Sequence, residues 1–67
     1  MDADADLQLA EELLVSEVDR LESYNRLLEG SRPVALTDLV ERFRDEEVAR
    51  IEELQQRIRS FRARLEA

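Results

Sequence analysis

The chain has 67 residues and a formal net charge of −7. Its ten basic residues are all Arg, set against seventeen acids, and there is no Cys and no His. A chain this short buries too little apolar surface to hold a core easily by itself. The missing residue types exclude disulfides, thiolate metal sites and His-based acid–base or nucleophilic chemistry. The acidic balance argues against a nucleic-acid partner, and no apolar run is long enough for a membrane-spanning helix. The start, Met-Asp-Ala-Asp-Ala-Asp, lacks the basic and apolar regions of a signal peptide, so a cytoplasmic location is expected.

The only Gly and the only Pro, Gly30 and Pro33, lie between two stretches rich in Leu, Glu, Arg, Ala and Gln. These are strong helix formers. The first helix is predicted over about residues 6–29, with Asp4 or Asp6 as N-cap. Gly30 is placed in the left-handed conformation just past its end. A turn at 30–33 follows. The second helix is predicted over about 33–65, capped by Ser31, with Pro33 in its first turn. A later start at Thr37 and Asp38 is the alternative.

Each helix carries one apolar stripe. In the first, Leu7, Leu14, Leu21 and Leu28 recur every seven residues, with Ala10, Glu17 and Tyr24 three residues after the first three of them. In the second, the stripe runs Leu36, Val40, Phe43, Glu47, Ile51, Leu54, Ile58, Phe61 and Leu65. Spacings of three and four define a buried helix face, and Leu13, Leu27 and Leu39 broaden the stripes beyond a two-stranded coiled-coil seam. The expected fold is all-α: an antiparallel hairpin that oligomerises into a four-helix bundle. Leu7, Leu14, Leu21, Leu28, Phe43, Leu54, Ile58, Phe61 and Leu65 are the expected interface residues.

If the chain reverses near residue 31, Leu7 lies near Ile58 and Leu14 near Arg50. Phe61 and Leu65 then project beyond the first helix and need cover from a second copy or a larger protein. Residues 1–30 carry a net −7 and residues 31–67 a net of zero. An antiparallel hairpin therefore brings Asp2, Asp4 and Asp6 towards Arg57, Arg59, Arg62 and Arg64.

Two carboxylates interrupt the stripes at nearly the same height: Glu17 between Leu14 and Leu21, and Glu47 between Phe43 and Leu54. Glu46 is the neighbour that one residue of rotation would exchange for Glu47. Facing carboxylates on apolar surfaces require a metal, an Arg or a shared proton between them. The segments Glu17-Val-Asp-Arg-Leu-Glu-Ser-Tyr24 and Asp45-Glu-Glu-Val-Ala-Arg-Ile-Glu-Glu-Leu54 resemble the metal-bearing helices of ferritin-like and rubrerythrin-like proteins. The closer likeness is to the half-length, two-helix kind seen in encapsulated ferritins. The resemblance implies Glu17 and Glu47 as metal ligands and Tyr24 as their neighbour. It also places Arg50 where a ligand His is expected. Arg cannot ligate iron, so the site reads as degenerate, with Arg50 neutralising the carboxylates.

The leading expectation is an oligomeric structural or interaction module with no cofactor. The alternatives are an iron-binding or iron-oxidising protein with its site at a dimer interface, and a coiled-coil adaptor docking through the end of the second helix. The expected partner is the chain itself, with a larger protein as an addition, and neither nucleic acid nor membrane. Ordinary enzymology is not expected; a ferroxidase-like activity is the one kind the pattern would suggest.

Overall fold

A computed structural model describes residues 2–66 as two helices, α1 from Ala3 to Glu29 and α2 from Val34 to Glu66. They form an antiparallel hairpin with extents of 50 × 16 × 15 Å. The all-helical hairpin expected from the stripes is thus present, and no helix among the described residues is long and apolar enough to cross a membrane.

The ends differ in detail from the expected ones. Asp2, not Asp4 or Asp6, caps α1, its side chain accepting a hydrogen bond from the Asp4 backbone N–H at 3.0 Å. Asp4 and Asp6 then fall in the first turn, where the helix dipole favours negative charge. Gly30 is extended (φ −84°, ψ 161°), not left-handed. The turn is carried instead by Pro33, whose carbonyl accepts from the N–H groups of Leu36 and Thr37 at 3.0 Å each. Pro33 takes the capping position assigned above to Ser31, and α2 begins directly after it rather than at Thr37. Its fixed φ prepares the first turn, and its missing N–H costs the helix nothing there.

Turning later shifts the register by about one helical turn. Leu7 and Ala10 line a cleft with Phe61 as well as with Ile58, and Leu14 lies with Gln55 and Ile58, not with Arg50. Asp6 shares the first cleft with Arg64. Phe61 is accordingly half-buried against α1, and the long α2 overhang read from the sequence is not formed. The core lies mainly along α2, where Val40, Ile51 and Ile58 are buried, with Leu7, Leu14, Leu21 and Leu28 half-buried opposite. Tyr24 and Phe43 pack as a tilted pair, ring centroids 6.3 Å apart, a geometry that aromatic quadrupoles favour.

The two long faces of the hairpin are chemically unlike. One is polar: Glu11, Gln55, Arg59 and Arg62 flank Leu14 and Ile58 there, and Arg62 donates to Glu11 across the helices. The other carries the exposed leucines and is the more apolar. Leu13 and Leu54 lie together on it among the charges of Glu17, Arg50, Glu53 and Arg57, and Leu54 and Arg57 continue it to Phe61, with Asp6 and Arg64 at that end. At 3.6 residues per turn, Leu9 and Leu27 share the side of Leu13 on α1, while Leu36, Leu39 and Phe43 share the side of Leu54 on α2. Leu9 is 63 %, Leu13 51 % and Phe43 39 % exposed in the single chain.

Candidate functional site

The polar layer sits midway along the hairpin, at the inner edge of the apolar face. Glu47 is drawn inward because it shares the α2 stripe with Val40, two turns before it, and Ile51 and Ile58, one and three turns after it. Its exposure is 0 %, the only charged residue so enclosed among those described. Glu46, one residue earlier, points out to solvent. Glu17 occupies the matching place on α1 and is mostly buried. The structure therefore brings together the two carboxylates that the stripes single out.

Arg50, one turn after Glu47, supplies the counter-charge. Its Nη2 and Nε donate to Glu47 Oε2 at 2.5 and 3.2 Å. Nε lies 3.9 Å from Glu17 Oε2, and the Arg20 guanidinium lies 3.9 Å from Glu17 Oε1. The guanidinium of Arg50 is half-exposed on the apolar face while its partner is wholly enclosed. Tyr24 lies two turns after Glu17 on α1, packed against Phe43.

Two oxygens of this layer, Glu17 Oε2 and Glu47 Oε1, are buried without a hydrogen-bond donor. Charged oxygens left in that condition are costly. One proton on Glu17 answers both needs, since it removes a charge and supplies a donor. The hydrogen bond to Glu47, then burial, then the Glu47 charge hold the Glu17 carboxyl above its ordinary pKa, outweighing Arg20 and Arg50. Burial alone would raise Glu47 too. The hydrogen bond from Glu17 and those from Arg50 reverse that and keep it below the ordinary value. The two shifts run in opposite directions, so a proton taken up by the pair sits on Glu17 and the charge on Glu47, beside Arg50. Hydrogen bonding to Glu47 in turn strengthens the hold of Arg50 on its own proton.

A metal ion does not fit this layer as one chain builds it. Two carboxylates are too few donors for a closed site, and a permanent cation occupies one of them. Among the described residues no three His, Cys, Asp or Glu side chains gather in a way that could hold an ion. What the arrangement does provide is a fixed polar rung in an apolar hairpin, half-open on the side that carries Leu13 and Leu54.

The residue the sequence did not single out is Glu11, while Arg20, expected to help balance the carboxylates, does lie beside Glu17. Glu11 was legible as a charge on the flank of α1, but its partner Arg62 on α2 depended on the register. No family of known proteins, no characterised protein and no solved structure matches the chain.

Proposed function

We propose that this chain is a self-associating structural module. Two hairpins pair through the apolar face into a four-helix bundle of ferritin-like pattern, and the Glu17, Glu47 and Arg50 layer serves as its polar rung. The observation that carries the reading is the segregation of exposed Leu and Phe side chains onto one face of a hairpin only 16 Å across. Large apolar patches on small soluble chains mark association surfaces. The rung suits this role because buried polar groups placed among apolar ones penalise wrong registers and oligomer states, at some cost in stability. Sedimentation equilibrium tests it. A mass of twice 7.8 kDa or a higher multiple at micromolar concentration is expected. A well-folded monomer would overturn the reading.

A second reading is favoured by the two donorless oxygens. Pairing would bring four Glu and two Arg50 to one level, and such a cluster could take iron or another divalent ion through oxygen ligands. Metal analysis of the protein after incubation with ferrous or zinc ions separates the two. Stoichiometric retention supports the second reading, and none leaves the rung purely structural.

A further inference from the structure

We infer that the second copy docks with its turn at the same end as the first, so that α1 of each chain lies on α2 of the other. This rests on the self-association proposed above and adds its orientation. Two arrangements can set this face against itself with every neighbouring helix antiparallel. In one, the two-fold axis runs along the helices, the turns lie together and α1 meets α2 of the partner. In the other, the axis crosses the helices, the turns lie at opposite ends, and each helix meets its own copy.

Charge decides between them. Residues 1–30 carry a net −7, whereas residues 31–67 carry eight Arg and a net of zero. An axis along the helices preserves height, so each α1 residue meets across the interface the α2 residues already level with it in its own chain. Those levels are known: Glu17 with Arg50, Asp6 with Arg64, and Leu13 with Leu54. Arg20, one turn after Glu17, is by the same ladder level with Glu46, one turn before Arg50. Across the middle of the interface Arg50 then faces Glu17 and Leu54 faces Leu13, while Glu53 and Arg57 of the same stretch meet apolar positions near Leu13 and Ala10 rather than like charges. An axis across the helices would instead set Asp2 and Asp6 opposite the Glu29 end of an equally acidic helix. It would also lay Arg57 and Arg64 over Leu39 and Leu36. Like charges juxtaposed across an interface penalise the wrong arrangement strongly.

The chain has no Cys, so a single introduced thiol reports the orientation directly. Ser31→Cys in the full chain, carrying a nitroxide label, should give a distance between labels below about 30 Å, since packed helices lie only ~10 Å apart. A distance near the 50 Å length of the hairpin would overturn the orientation and leave the association standing. Mixing chains labelled at Ser31→Cys with chains labelled at Ser60→Cys should give the converse, a long mixed distance. No dipolar coupling together with a monomer mass would overturn both the association and the orientation. As an independent arm, Arg20→Glu should weaken pairing about tenfold through its two symmetry-related contacts, and adding Glu46→Arg should restore it. Failure of the second change to restore pairing would count against the same-end arrangement.

Discussion

Arg50 donates two hydrogen bonds to a Glu47 carboxylate that its own chain seals completely from solvent, while Arg50 itself stays half-open on the apolar face. A buried acid tied to an accessible base makes the centre of the hairpin sensitive to both pH and substitution.

Glu17→Gln tests the opposed shifts of the two carboxyls. The Glu17 pKa is raised in the folded chain, so its contribution to stability is full below the unfolded carboxylate value and is lost as pH rises through the folded one. Glu47 is lowered, so its contribution is present above the unfolded value and is lost as pH falls through its folded one. The wild type should therefore lose stability on both sides of a mildly acidic optimum. Glu17→Gln keeps a donor without titrating. It should flatten the loss towards neutral pH while leaving the acid limb, measured as urea midpoints across the pH range.

Arg50→His probes the same layer from the cation. Glu47 would keep its enclosure and lose a permanent counter-charge, so the melting temperature at neutral pH should fall by several degrees. The new imidazole would stand with Glu17 and Glu47, and imidazole is a good ligand for zinc and ferrous ions. Added metal should restore stability through linkage. Glu17→Gln in that background should abolish the rescue. Unchanged thermal stability and metal affinity in calorimetry would show that the three residues do not act together.

Leu13→Gln and Val15→Gln form a matched pair. Both side chains are more than half exposed, Leu13 51 % and Val15 62 %, so neither change should unfold the hairpin. Leu13 lies on the apolar face and Val15, two residues on, points almost the opposite way. Leu13→Gln should weaken self-association about tenfold or more, and Val15→Gln should leave it unchanged, as read by dilution in sedimentation velocity.

Gly30→Ala should stabilise the chain. The Gly30 backbone is extended, and an added Cβ would approach only the flexible Arg32 guanidinium, at 3.4 Å. Removing unfolded-state freedom without strain is worth about 0.4–1 kcal/mol. A small rise in the urea midpoint is expected. A fall would mean that the turn uses the left-handed conformation after all.

Two helices, their stripes and the convergence of Glu17 with Glu47 were legible because heptad spacing fixes which side chains share a face, whatever the turn does. The register was not. It depended on whether Gly30 or Pro33 makes the reversal, and a glycine after a helix ordinarily signals the left-handed exit. With Pro33 carrying the first α2 acceptor, every α2 residue slides by about a turn. Arg50 thereby moves from beside Leu14 to beside Glu17, and Phe61 from an overhang to a place against Leu7 and Ala10. The donorless oxygens were implied by two carboxylates at one height, but the wholly enclosed one could not be told from the mostly buried one until the curvature of the core towards α2 was seen.

The single tight reversal at residues 30–33 has a kinetic corollary. Closing it brings together the stripe residues nearest the turn, Leu28 with Leu39 and Val40, and then the Tyr24 and Phe43 rings, since short loops close in well under a microsecond. Each later rung then forms beside one already made, so the hairpin zips outward from the turn with mostly local search. The Glu17 and Glu47 rung comes halfway along this path, and a chain zipping one turn out of step would meet it with Glu47 facing leucine. The polar layer would thus penalise a mis-stepped chain during zipping as well as in the finished hairpin. That penalty falls before the open end, where Leu7 meets Phe61, would close.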